Sequence, residues 1–514
     1  METKTHPPSA IAEAAGPSPG PAVPHSPAVA DPLASIDARS MITRLLKQFL
    51  FKPDYVQHVI APFFMMTMNK GERLSLPMID VTATKENAIP YYLLGLLNDN
   101  EDWKLAPEDG ITVFLQALEK RGPDNRRKKI YVSATTRDLY RPMYSPKVMQ
   151  FFDTWLDNRN AGKALMRLYL DGFFDMYWDL HLGVKGDAIP KEVRQLGESF
   201  NNVFAYQDPT QKIVYDNYMN VRSKLGILKE WVGERITDIA QGRTANPEQT
   251  FVYYWLKNGE EGDDFKRKDV VFECFHNMVA FNQWGYTLYL IMSKLGRNTG
   301  DPDAKAWFKK TMEGDFDQAS ECAFTPIDRF VMELFRTISP NKGSISVLTE
   351  ILPPPIGRHG YILNPHQATS FDPRHWENPE KFDPDRYVTA PTSHQIDEAK
   401  CREIGFVRCP FERKPFELKD GRNGVIQNSG FGTVYGIVDG TPLPVCDYAG
   451  YAPMGFGYRR CPGEQLTTQV IADFLRKVWK SKIEFIEIAD PKPVPIGGAG
   501  LLGDNIGFTR SRSV

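Results

Sequence analysis

Cys461 lies in the run Met454–Gly463, MGFGYRRCPG, between turn-forming glycines and beside two arginines. A helical pattern begins just after it, at Gln465. Each of these neighbours favours a thiolate. Positive charge and the N-terminal amides of a helix stabilise a deprotonated sulfur. Glycines let the backbone approach a flat ligand closely. The bland alternative is a structural turn around a buried cysteine. A thiolate in such a turn is a metal ligand or a nucleophile, and those are the chemistries to look for.

Two further groups stand upstream. Glu333 and Arg336 occur in ELFR, and on a helix that spacing puts carboxylate and guanidinium on one face, where they can pair. The segment FDPDRY, 382–387, offers a second arginine, Arg386. ELFR, then HWENPEKFDPDRY, then the cysteine run follow the order of the signature elements of cytochrome P450s, and the chain resembles that family over roughly residues 40–510. The family pattern Phe-x-x-Gly-x-Arg-x-Cys-x-Gly is matched by Gly457, Arg459, Cys461 and Gly463. Met454 stands in the place of the Phe, a change expected to alter the redox potential of the iron.

The resemblance implies the cytochrome P450 fold: one large domain, mainly α with small β-sheets. It implies heme b (iron protoporphyrin IX), with Cys461 as the axial ligand of the iron. The thiolate pushes electron density toward the metal and favours O–O cleavage. By resemblance Arg459 meets one heme propionate. The segment TRDLYRP, 136–142, is similar to the helix whose arginine meets the other, which selects Arg137, although Ser133 stands where that helix usually has Trp. Glu333, Arg336 and Arg386 would form the structural signature.

The long distal helix is expected over Asp269–Leu295, apolar on most sides and so covered by protein all round. Oxygen-activating members of the family carry an acid–threonine pair here for proton delivery, a form of general acid catalysis. This helix has none. The best register sets Phe281-Asn282-Gln283-Trp284-Gly285 over the motif, so that Trp and Gly replace the acid and the alcohol. Phe-Asn-x-Trp-Gly resembles instead the distal helix of the hydroperoxide-metabolising branch: allene oxide synthases, hydroperoxide lyases and epoxyalcohol synthases. Those enzymes use the peroxide in their substrate and need neither O2, nor NADPH, nor a reductase. By that resemblance Asn282 contacts the peroxide oxygens, Phe281 shapes the pocket, and Gly285 lines it. Leu501 and Leu502 resemble the last pocket loop. The substrate would be lipophilic. The alternative is a monooxygenase, dependent on O2 and a reductase or ferredoxin, with another proton path. A third reading is a heme-binding sensor without turnover. Asn282 could also be a hydrogen-bonded polar residue without a catalytic role, and His276 reads as an ordinary helix residue.

The remaining elements must position these groups. The chain has 514 residues, with 62 basic and 64 acidic side chains and a net charge of -2, so a nucleic-acid binder held by bulk charge is excluded. Six cysteines are too few for a disulfide scaffold, which suits a reducing, cytoplasmic setting. Mean hydropathy is -0.39, which excludes a polytopic membrane protein. The apolar stretch Tyr55–Met68 is too short to span and carries Gln57, His58 and Pro62; it reads as a buried helix or as a peripheral membrane contact. Residues 1–34 are rich in proline and lack Phe, Trp and Tyr, and read as a disordered tail ahead of a catalytic domain over 35–514. The basic run Arg126–Lys129 reads as a solvated loop or a docking patch for an acidic electron donor, and a β-rich insertion of hairpins is expected at about 389–448. Cys401, Cys409 and Cys446 with His394 offer a zinc alternative that no Cys-x-x-Cys spacing supports.

Overall fold

The computed structural model describes residues 65–67, 73–75, 126–205, 212–259, 267–317, 324–340, 344–347, 361–364, 370–371, 376–388, 416–424, 435–438, 441–444, 453–454, 461–489, 492–497 and 500–510. The 1–34 tail, most of Tyr55–Met68, Gly457, Arg459, the four residues of the zinc alternative and much of the 389–448 insertion lie outside them.

Helices carry the fold. They are α1 (Arg126–Ser133), α2 (Ser145–Trp155), α3 (Leu165–Leu182), α4 (Lys191–Ala205), α5 (Lys212–Ala240), α6 (Phe251–Asn258), α7 (Arg267–Lys294), α8 (Pro302–Glu313), α9 (Pro326–Ile338) and α10 (Glu464–Lys480). Their ends follow from local chemistry. Asp301 accepts from the backbone N–H of Asp303 and Ala304, with Pro302 in the first turn of α8. Thr325 caps α9 in the same way through the Asp328 N–H, followed by Pro326. Gly183 ends α3 at φ 71°, a left-handed conformation that glycine adopts without a Cβ penalty. The basic run 126–129 opens α1 instead of forming a loop: no proline or glycine interrupts it, and Pro123 and Asp124 precede the helix.

A four-stranded sheet has the order β2-β1-β4-β3, built from Met65–Thr67 (β1), Arg73–Ser75 (β2), Ser344–Val347 (β3) and Tyr361–Asn364 (β4). β1 runs parallel to β4, and the other pairs are antiparallel. Within the insertion, Phe416–Glu417 (β5) pairs with Asn423–Gly424 (β6), and Tyr435–Val438 (β7) with Thr441–Pro444 (β8). After α10, Ile483–Glu487 (β9) pairs with Ile506–Arg510 (β12), and Pro493–Ile496 (β10) with Gly500–Gly503 (β11).

α7 is the axis, 28 residues and about 42 Å long. It touches α3, α4, α5, α6, α9, β10 and β12. The core beside it is aromatic. Phe151, Trp155 and Tyr169 stack or meet edge-on, and the series continues through Phe173, Tyr177 and His181 to Phe251 and Phe281. No described helix is long and apolar enough to cross a membrane.

Candidate functional site

The Glu333–Arg336 pair forms as the spacing requires. Both side chains are fully buried on α9. The Arg336 Nε donates to Glu333 Oε2 at 2.8 Å and its Nη2 to Oε1 at 2.7 Å, a two-pronged ion pair. Arg386 joins it, with Nε 3.2 Å from Glu333 Oε1. The Tyr387 hydroxyl donates to Oε2 at 3.1 Å, and the Asp383 N–H to Oε1 at 2.9 Å. Arg336 spends its other N–H groups on the carbonyls of Ser370, Pro379 and Lys381. The loop 376–388 is thereby fastened to α9. A buried ion pair repays its desolvation only when its remaining donors and acceptors are filled, and here they are.

Cys461 is half-buried and lies just before α10, whose cap residue is Gly463. Its N–H donates to the Met454 carbonyl at 3.0 Å, which closes the turn that the sequence marks with glycines. A Cβ on Gly463 would stand 3.9 Å from the Cys461 sulfur. Thr135, in the turn after α1, donates its hydroxyl to the Pro462 carbonyl at 3.0 Å, and the Arg137 N–H donates to Gln465 Oε1 at 3.1 Å. The guanidinium of Arg137 is more than half exposed and lies 3.5 Å from Asp328 of α9. The segment 136–142 is split between a helical turn, Arg137–Leu139, and a wide π turn, Tyr140–Tyr144.

The residues expected to shape the pocket diverge on α7. Phe281 packs into the aromatic core against Tyr177, His181, Phe251 and Trp284. Gly285 faces Tyr169 of α3, where an added Cβ would come within 2.5 Å of the ring. Both positions are thus packed against neighbouring helices. Tyr169 is itself wedged between Phe151 and Trp155 and has nowhere to move. Gly285→Ala should therefore cost about 1–3 kcal/mol by overpacking, read as a lower urea midpoint. An unchanged midpoint would mean that the ring yields.

Asn282 turns the other way. It is 1% exposed, and its amide donates to Asn201 Oδ1 on α4. Asn201 Oδ1 also takes the Gly497 N–H at 2.7 Å, and its own amide donates to the Pro495 carbonyl at 3.0 Å. One asparagine pair thus ties α7, α4 and the C-terminal hairpin together. The Asn282 carbonyl oxygen is buried without a donor. On that hairpin Leu502 points inward at 7% exposure, whereas Leu501 is 46% exposed, as strand alternation dictates.

His276-Asn277 also resembles the hydroperoxide branch in sequence, and Thr287 lies near the motif; the partners of Asn277 on other helices are not visible there. Tyr131 of α1 donates to Asn277 Oδ1 at 2.5 Å, and Asn277 donates to His181 Nε2 at 3.2 Å. Burial pushes His181 down to about 3, so its ring is neutral and Nδ1–H donates to the Tyr177 carbonyl. Burial, with Glu273 and Cys461 nearby, holds the Tyr131 phenol far above its ordinary range. Partners so distant in sequence leave no local motif. The Thr287 hydroxyl bonds back to the Gln283 carbonyl. The buried Glu273 stands about 21 Å from it along the axis, so the two cannot act as an acid–alcohol pair.

A cavity of about 980 Å³ opens among Leu295, Phe308, Trp479, Ile483 and Phe485. It lies at the C-terminal end of α10, about 25 Å along the helix from the cysteine turn.

No protein-family model matches the sequence, and no curated protein matches it. Solved structures do. A retinoic acid-bound cyanobacterial CYP120A1 aligns with TM-score 0.50 at 14% identity, over 80% of this chain and 83% of that one. A zebra fish cytochrome P450 with progesterone aligns with TM-score 0.51 at 12% identity, over 82% and 87%. Helices around a long central α7, with small peripheral sheets, are therefore the cytochrome P450 fold.

Proposed function

We propose that the chain is a heme-thiolate enzyme that rearranges or cleaves a fatty-acid hydroperoxide without an external reductant. The donor set suits heme: a half-buried sulfur ahead of a helix N-terminus, in a turn closed by its own backbone and followed by a glycine. Cys461 would hold the iron, and Arg459 and Arg137 would meet the propionates. When bound, the heme supplies the redox chemistry at the O–O bond. The peroxide is the oxidant and the acyl chain is oxidised, so the electrons balance within the substrate.

The observation that carries the peroxide reading is the Asn282 carbonyl oxygen, buried without a donor while its amide is held by Asn201. A buried acceptor left empty costs free energy, and a hydroperoxide O–H would fill it. Asn201 would keep that oxygen from rotating. Leu502 would contribute to an apolar wall for the acyl chain. The absence of an acid–alcohol pair on α7 argues in the same direction.

Holoenzyme mixed with a fatty-acid hydroperoxide, with no reductant, should rapidly lose the conjugated-diene absorbance. No loss, with NADPH-dependent product formation through a surrogate redox partner, would replace this reading with a monooxygenase. Asn282→Ala should lower peroxide turnover at least about tenfold, about 1.4 kcal/mol of barrier, at unchanged heme content. Full activity in that variant would leave Asn282 a packing residue.

A further inference from the structure

The insertion reaches the turn that follows α1. Its hairpin β5–β6 closes through the Leu418 N–H to the Arg422 carbonyl at 2.8 Å, with Gly421 at φ 81° in the bend. Leu418 is buried under it. Asp420 is pinned to α6: its carboxylate accepts from the Asn258 amide at 3.0 Å, and its N–H donates to Asn258 Oδ1 at 3.3 Å. That carboxylate in turn holds Arg422 through Nε at 3.0 Å and Nη2 at 2.7 Å. The guanidinium lies over the Tyr254 ring, 4.7 Å from its centre. Burial opposes the Asp420 charge, but the bonds from Arg422 and Asn258 keep its carboxyl below the usual range.

So fixed, Arg422 faces the end of α1. Nη2 donates to the Ser133 carbonyl at 2.8 Å and Nη1 to Thr136 Oγ1 at 2.8 Å. The last carbonyls of a helix lack partners and carry the negative end of its dipole, so a cation belongs there. Between these two anchor points stands Thr135, whose hydroxyl grips the carbonyl of Pro462, the residue after Cys461. The next N–H, on Arg137, reaches Gln465 in the first turn of α10. The turn 133–137 is therefore held by the insertion on one side and holds the cysteine turn on the other.

We infer that Arg422 is a positioning residue for the Cys461 sulfur, acting through Ser133, Thr136 and Thr135. This rests on the heme-thiolate reading above. A guanidinium four-fifths buried, paired with a carboxylate that is 3% exposed, is a costly device for a surface ornament. It serves to hold a backbone turn in place. An iron–sulfur bond needs that, because a displaced sulfur takes up a proton and becomes a weaker ligand.

The test is spectroscopic. In the reduced carbon monoxide complex the red-shifted Soret band reports thiolate ligation, and a band at shorter wavelength reports its loss. Arg422→Gln should lower the thiolate-to-thiol ratio about tenfold, the effect of losing a charge-assisted hydrogen bond, while heme stays bound. Arg422→Lys, which keeps the charge and one donor, should recover part of it. Should Arg422→Gln fail to fold, Thr135→Val probes the same clamp from the other side and should give the same spectral change. Unchanged bands in both variants, beside a normal thiolate band in the parent, would overturn the inference and leave the functional reading standing. No thiolate band in the parent would overturn the functional reading itself.

Discussion

Cys461→Ala should abolish the red-shifted band of the reduced carbon monoxide complex altogether. Among the described residues no second cysteine is placed to replace it. Cys274, the other cysteine among the described residues, is fully buried in α7, and burial, with Glu273 beside it, pushes its thiol far above the ordinary range. A thiol held neutral is a poor ligand. Among the described residues no group of three His, Cys, Asp or Glu side chains could hold a metal in its stead. The measurement is an absorbance spectrum of the reconstituted variant under carbon monoxide. A band equal to the parent's would remove Cys461 from the iron. The fold should survive, because the turn is closed by the backbone bond from Cys461 to Met454, which alanine retains.

The parts of the site that the sequence made legible are those whose chemistry is local. Glu333 and Arg336 are neighbours on any helix, so their pairing follows from spacing alone. Arg386 is expected because FDPDRY follows ELFR in the order of the family's signature elements. The cysteine turn is marked by its glycines, and the helix after it begins at Glu464, one residue before the predicted start. The fold class follows from the family resemblance that these markers carry.

What could not be read is which way α7 faces. A helix apolar all round gives no stripe to orient it, so the pocket role of Phe281 and Gly285 rests on resemblance of the motif. In the structure Tyr169 fills the space a side chain at 285 would need, and His181 and Phe251 pack against Phe281. Asn282, beside them in sequence, lies on a different face and meets α4. Asn201 and Arg422 were invisible for the opposite reason. Each is an unremarkable polar residue in its own segment, and its partners lie on elements far away in the chain. The acid–alcohol gap on α7 was legible because it concerns residue types. The direction of the Asn282 oxygen was not, because it concerns tertiary geometry.

The largest loss of stability should come from Glu333→Ala. Its two oxygens accept five hydrogen bonds: two from Arg336 and one each from Arg386, Tyr387 and the Asp383 N–H. Removing the carboxylate leaves the Arg336 side chain charged at 0% exposure and the Arg386 side chain charged at 11%. An arginine cannot shed its proton to escape, because its pKa lies too high. Water cannot reach the gap without opening the core between α9 and loop 376–388. Breaking one partner of such a pair costs about 3–5 kcal/mol, a large share of the roughly 5–15 kcal/mol that holds a folded protein. Glu333→Ala should therefore express as aggregated or heme-free protein, or unfold at a much lower urea midpoint if any soluble fraction is recovered. Glu333→Gln keeps the shape and one acceptor oxygen, but turns its amide donors toward arginine donors, so it should fall nearly as far. Arg386→Ala removes a group that water partly reaches and that makes one bond to Glu333, and should cost less than either. A Glu333→Ala protein with the parent's midpoint would mean that the loop is held by its packing, by Trp376 and Tyr387 against their neighbours, and not by the charge cluster.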